Sequence, residues 1–175
     1  MTKRVCTATV IQMLLIVITV TPSFGQGGRG GGGMMGDSAS AADMQLFHQL
    51  FAHRAEITRH VIAREDGIET VTESTNLEVS RLLQAHVASM LARVKEGRPI
   101  HQRDPLFVEL FKNADQIVVT HEPTAGGVRI VETSKDPYVV KLLHLHAEVV
   151  SAFLANGMPE MMKNHPVPPR MSLLP

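Results

Sequence analysis

The chain of 175 residues has almost no cysteine and few aromatic residues. It contains one cysteine, Cys6, one tyrosine and no tryptophan. Beyond Cys6 the chain has neither disulfides nor thiolate ligands, so any metal bound there must use histidine, methionine or carboxylate. The shortage of aromatic rings leaves little surface on which nucleic acid bases could stack. We therefore expect no nucleic acid partner.

The first 25 residues have the order of a secretory signal peptide. Lys3 and Arg4 precede an apolar stretch over residues 5–20, and small residues follow it near Gly25. Polar residues interrupt the stretch, which falls short of the roughly 20 apolar residues that span a bilayer, so cleavage is favoured over anchoring. The expected product is periplasmic or secreted and keeps no membrane span. Its formal charge is −2, because Lys3 and Arg4 leave with the peptide and no acidic residue does, and this charge also argues against nucleic acid binding.

Residues 47–97 align with residues 107–157 without a gap when the chain is shifted by 60 positions. Thirteen of the 51 aligned positions are identical, against about three expected from average residue frequencies. The identical positions include paired phenylalanines, glycines, helix-face leucines and one pair of histidines. The sequence therefore predicts two copies of one structural unit.

Each copy reads as a short helix, a β-hairpin and a long helix. The short helices are predicted over residues 44–53 and after Asp104, which precedes a proline at the first helical position. The hairpins are predicted over residues 57–74 and 117–134, with Asp66-Gly67 and Gly126-Gly127 suited to the positive φ of the turns. The two long helices are predicted to begin after the N-cap residues Asn76 and Asp136 and to end near Gly97 and Gly157.

Two such units predict one α+β domain over residues 44–167. A lone hairpin is rarely stable, and each half has too little apolar surface to fold well alone. We expect a four-stranded antiparallel sheet covered by helices, with pseudo-twofold symmetry. A flexible glycine-rich leader is predicted over residues 26–43, and a disordered tail over residues 168–175.

The candidate chemistry lies in two histidines that occupy the same position in the two copies. His86 and His146 fall on the apolar faces of the long helices, so both imidazoles should point into the core. Rings that face each other could provide the two axial ligands of haem b, or two ligands for a soft metal such as copper. A histidine held by its own carbonyl or carboxylate partner, with no cofactor, is the alternative. Acid–base catalysis is a further one.

Methionine and arginine residues extend this candidate site. Met90 lies one helical turn after His86, and a C-terminal group spaces thioethers and imidazole in a way that suits copper: Met158, Met161, Met162 and His165. Methionine also serves as an ordinary core filler. Arg54 and Arg59 could bind haem propionates or another anion, or could form a solvated or salt-bridged surface.

Catalytic motifs are scarce in this sequence. It contains no HExxH motif, no CxxCH motif and no glycine-rich phosphate loop after a predicted strand. Three glutamates near predicted strand ends, Glu73, Glu122 and Glu132, could act as bases only if a pocket lies beside them. Two function hypotheses follow: an exported binding protein for haem or copper, and a non-catalytic module with structural histidines that contacts another exported protein. The sequence leaves the oligomeric state open.

Overall fold

The computed structural model describes residues 40–170, which form an α+β domain with an open, four-stranded antiparallel sheet and five α-helices. The predicted signal peptide, most of the predicted leader and the last five residues lie outside the described part. In chain order the elements are α1 (Ser40–Ala52), β1 (Thr58–Arg64), β2 (Gly67–Glu73), α2 (Leu77–Glu96), α3 (Pro105–Lys112), β3 (Val118–Pro123), β4 (Gly127–Thr133), α4 (Pro137–Asn156) and α5 (Met158–Met161).

Three helices begin at the cap residues that the sequence indicates. The side chains of Asn76, Asp104 and Asp136 each accept a hydrogen bond from the backbone N–H two residues later, at 3.0, 3.0 and 2.8 Å. Helix α2 ends at Gly97, whose φ of 63° is left-handed. The lengths of the long helices thus follow from local sequence signals.

Helix α1 begins four residues earlier than predicted, at Ser40. The reason is a buried ion pair: Asp43 is 3% exposed, and its Oδ2 lies 2.6 Å from Nε of Arg93 on α2. The hydroxyl of Ser89 also donates to Asp43. The predicted leader therefore ends sooner than residue 43, because its last residues join the core through contacts distant in sequence.

The sheet has the strand order β1-β2-β4-β3, so the inner strands β2 and β4 join the two hairpins. In their antiparallel register Thr70 lies opposite Ile130, and Thr72 lies opposite Val128. Cross-strand partners share a face of the sheet, so these four side chains lie on one side of it.

The glycines that start the inner strands are required by close backbone contact. A Cβ on Gly67 would lie 1.9 Å from the carbonyl oxygen of Glu132, and a Cβ on Gly127 would lie 2.1 Å from that of Thr72. The sequence analysis assigned both glycines to positive φ in the hairpin turns. That reason is wrong for Gly127, whose φ is not positive, and the near approach of β2 to β4 explains both positions.

The two long helices lie on the same side of the sheet, and each packs mainly on the strand from the opposite hairpin. Helix α2 lies over β4, where the side chain of Gln84 donates to the carbonyl oxygen of Gly127 at 2.9 Å. Helix α4 lies over β2, where Nε2 of His144 is 2.8 Å from the carbonyl oxygen of Gly67. This arrangement places His86 and His146 over the same sheet.

Helix α4 is the central core helix of the described part. Seven of its side chains are buried, and it packs against β2 and α3. Its length and composition alone would also allow it to cross a membrane. Here its apolar side chains contribute to a core cluster that also contains Phe51, Ile68, Leu106, Leu110 and Met161.

Candidate functional site

A cavity of about 210 Å³ lies between the two long helices and the inner strands of the sheet. Its walls are mostly apolar, with aromatic, branched and methionine side chains from α1, α2, α3, α4 and α5. Polar side chains line it at a few positions only: Arg59, Thr70, Thr72, His86, His101, Glu132 and His146. An apolar pocket with a few convergent polar groups is the usual form of a small-molecule site.

His86 and His146 both line this cavity, as the sequence analysis predicts for core-facing residues. The ring of His86 packs on Phe47 with centroids 4.8 Å apart, and the ring of His146 packs on Phe107 at 5.3 Å. In both residues Nδ1 is buried and has no hydrogen-bond partner within residues 40–170. Neither imidazole is therefore held by a carbonyl or carboxylate of its own.

Burial lowers the pKa of both histidines. The pKa of His86 falls to about 4, mainly through desolvation, while the nearby Asp43 opposes the shift. The pKa of His146 also falls to about 4, again mainly through desolvation, with Arg59 and His86 adding repulsion of a positive charge. Both rings are thus neutral near pH 7, the form in which imidazole binds a metal or accepts a hydrogen bond.

Arg59 and Glu132 enter the same cavity from the sheet. Nη1 of Arg59, on β1, donates to the hydroxyl of Thr72 at 2.8 Å, but its Nε is buried without a partner. Burial lowers the pKa of Arg59 to about 10. Glu132, on β4, makes no hydrogen bond or ion pair within the described residues, and burial raises its pKa. Arg59 and Glu132 therefore line one cavity and attract each other electrostatically without forming an ion pair.

Two methionines bring thioether sulfur to the cavity wall. Met90 comes from α2, one turn after His86, and the buried Met161 comes from α5. Of the residues predicted from the sequence, the structure thus brings together His86, His146, Met90, Arg59 and Met161.

Three other predicted residues lie outside the central cavity. Arg54 is exposed and donates to the carbonyl oxygen of Phe51 at 3.3 Å. Met158 and Met162 are 40% and 51% exposed, and they line a separate cavity of about 90 Å³. The structure therefore separates Arg54 from Arg59 and these two methionines from the histidine pair.

His165 is bound by carboxylates on both sides of its ring. Its Nδ1 lies 2.5 Å from Oδ2 of the fully buried Asp104, and its Nε2 lies 3.2 Å from Oε1 of Glu160. Partial burial opposes the positive charge, but the hydrogen bonds with Asp104 and Glu160 raise the pKa of His165 overall. This arrangement attaches the C-terminal segment to the start of α3 and leaves no free ring nitrogen for a metal.

Glu132 is predicted from the sequence only as a possible base beside a pocket, and His101 is not predicted as a site residue. Glu132 continues the core-facing alternation of Val128 and Ile130 along β4. An acidic residue at a core-facing position could therefore have indicated a site residue from the sequence. His101 has a φ of 57°, and its ring packs edge-on against Phe107 at 4.9 Å. Its position depends on a loop conformation that no local pattern predicts.

Residues 40–170 contain no group of three or more histidine, cysteine, aspartate or glutamate side chains placed to hold a metal ion. A metal in the central cavity would therefore need a thioether ligand beside the imidazoles.

Comparison with protein-family models, curated proteins and solved structures finds no match to this chain, so function is inferred from the cavity itself.

Proposed function

We propose that this domain is an exported binding protein whose ligand occupies the central cavity and is held by His86 and His146. The observation that carries this proposal is the presence of two neutral, unpartnered imidazoles on the wall of one apolar cavity. Burying an imidazole without a hydrogen-bond partner costs free energy. Two such costs at one place are explained if a ligand supplies the missing contacts.

Copper fits this cavity better than haem b does. A cavity of 150 Å³ accepts benzene, and haem is several times larger than benzene, whereas the cavity here measures about 210 Å³. Copper in its reduced, soft form prefers imidazole and thioether ligands. His86, His146 and Met90 would supply that set, and Met161 lines the same wall.

The experiment compares cofactor binding by the purified protein with that of two double variants. Bound metal is measured by elemental analysis, haem by its optical spectrum, and copper affinity by competition with a chromogenic Cu(I) chelator. His86→Gln with His146→Gln should weaken copper binding at least tenfold. His60→Gln with His121→Gln is the matched control, because both residues are exposed on the outer strands, and it should bind as the parent does.

Equal copper affinity in the two double variants would refute the role of the histidine pair. A Soret band that disappears in the first variant would instead select haem, and would require the cavity to open further than described. Circular dichroism on every variant separates loss of a ligand from loss of the fold.

We also propose that the cavity is built by a duplicated unit with pseudo-twofold symmetry. The inner strands pair Thr70 with Ile130, which are 60 positions apart. The contacts of His86 with Phe47 and of His146 with Phe107 are likewise related by this shift. An experimental structure in which residues 47–97 superpose on residues 107–157 by a rotation far from 180° would contradict this proposal.

The second candidate function is a non-catalytic module that contacts another exported protein. The observation that favours it is apolar exposure on the outer strands, where Val61, Ile62 and Val118 are 40%, 57% and 64% exposed. In that case the histidines are structural, and partner binding should not change in the His86→Gln, His146→Gln variant. Substitution of Ile62 and Val118 by threonine should abolish it.

A further inference from the structure

The sheet side of the central cavity holds two ionisable side chains, Arg59 and Glu132, that a metal bound to histidine would not use. Arg59 reaches the cavity from β1 and keeps a buried Nε without a partner. Glu132 reaches it from β4 and attracts Arg59 electrostatically, but the two side chains form no hydrogen bond or ion pair with each other. A guanidinium ordinarily binds a carboxylate through two parallel hydrogen bonds, and here that partner is missing.

The surroundings limit what the missing partner can be. The single bond of Arg59 to the hydroxyl of Thr72 fixes the guanidinium at the cavity wall but leaves donors unused. The rest of the wall is mostly apolar, with Phe47, Phe107 and Phe153 around the histidines. A suitable ligand thus has an apolar body and one acceptor group.

We infer that this end of the cavity is a binding subsite for a small aromatic monocarboxylate, whose carboxylate accepts hydrogen bonds from Arg59. A cavity of 150 Å³ holds a benzene ring, and about 210 Å³ leaves room for a ring with one carboxylate. The subsite rests on the proposal that the cavity binds a ligand, but it does not depend on copper.

Glu132 restricts the ligand to a single negative charge. Burial raises the pKa of Glu132, because this side of the cavity solvates a negative charge poorly. A second carboxylate on the ligand would meet the same cost without a second cation to offset it. The neutral imidazoles of His86 and His146 offer no second cation. Charge therefore selects benzoate over a dicarboxylate such as terephthalate, and over an uncharged analogue such as benzyl alcohol.

The test uses benzoate, terephthalate and benzyl alcohol as probes in ligand-observed NMR titrations at pH 7 with the metal-free protein. Benzoate should bind at least tenfold more tightly than either of the other two. Arg59→Gln should weaken benzoate binding at least tenfold, whereas Glu132→Gln should strengthen it because the acidic group that also attracts Arg59 is removed. Arg54→Gln is the control, since Arg54 is exposed outside the cavity, and it should leave the affinity unchanged.

The outcomes separate this inference from the proposed function. Equal binding of benzoate and benzyl alcohol, or equal benzoate affinity in the Arg59→Gln and Arg54→Gln variants, overturns the subsite while cavity binding stands. Binding of copper through the histidines with no benzoate binding also overturns it and leaves the proposed function intact. Failure of every probe and of copper and haem overturns both. Thermal unfolding of each variant verifies that the fold is kept.

Discussion

Asp43 and Arg93 show how a single residue pair determines where the folded domain begins. Both side chains are nearly fully buried, at 4% and 2% exposure, and they join α1 to α2. A buried charge that loses its partner remains in a medium that solvates it poorly. Their effect on stability should therefore greatly exceed that of an exposed pair.

Replacement of Asp43 by asparagine should lower the free energy of unfolding by about 3 to 5 kcal/mol, because it breaks a buried ion pair. Urea denaturation followed by circular dichroism measures the change. The control is Glu96→Gln, which breaks the exposed pair with Arg98 and should cost less than about 1 kcal/mol. Similar losses in the two variants would show that the buried pair has no special role.

At the scale of residues, the sequence predicts the histidines of the site better than its charges. His86 and His146 each lie on an apolar helix face and occur at matching positions, so two independent patterns indicate them. Arg59 and Glu132 lie on different strands, and only the pairing of β2 with β4 brings them to one cavity. Asp43 could not be foreseen either, because its partner is 50 residues away.

The inner strands are the elements on which the architecture depends most. The sequence predicts the hairpins and the long helices because caps, prolines and strand alternation are local signals. It does not predict the reason for Gly67 and Gly127, because the carbonyl that excludes a side chain belongs to another strand. Contacts between elements, unlike the elements themselves, leave no local pattern.

Two glycine substitutions separate these local and non-local effects. Gly97→Ala should cost about 1 kcal/mol, because its φ of 63° is left-handed but a Cβ would meet nothing within 4 Å. Gly67→Ala should cost substantially more, because the Cβ would lie 1.9 Å from the Glu132 carbonyl oxygen and the inner strands would have to separate. Thermal unfolding measures both, and a smaller loss for Gly67→Ala would contradict the tight pairing of β2 with β4.

For the whole molecule, the buried histidines predict a loss of stability in acid. The pKa of each is about 4 in the folded state, against an ordinary value of 6.5. The unfolded chain therefore binds more protons between these values, and the free energy of unfolding falls as the pH is lowered from 6.5 to 4. At about 1.4 kcal/mol per pKa unit, the loss is at most about 3.5 kcal/mol per histidine.

Urea denaturation at a series of pH values measures this loss. The His86→Gln, His146→Gln variant should lose less stability over the range than the His60→Gln, His121→Gln control. His165 acts in the opposite sense, because its raised pKa gives a contribution that is present below 6.5 and lost as the pH rises through the folded value. Parallel pH profiles for the two double variants would show that His86 and His146 are not buried in neutral form.

The crossed packing of the long helices has a consequence for how the polypeptide could be divided. Helix α2 covers mainly β4, and helix α4 covers mainly β2, so each hairpin is covered chiefly by the long helix of the other half. A backbone cut between Arg98 and Pro99 would yield two fragments. Each would have an apolar strand that is no longer covered and a long helix that is separated from the strand on which it mainly packs. Reassociation of the two fragments would bury these apolar surfaces again. This linker is therefore a suitable position at which to divide the domain into a complementation pair.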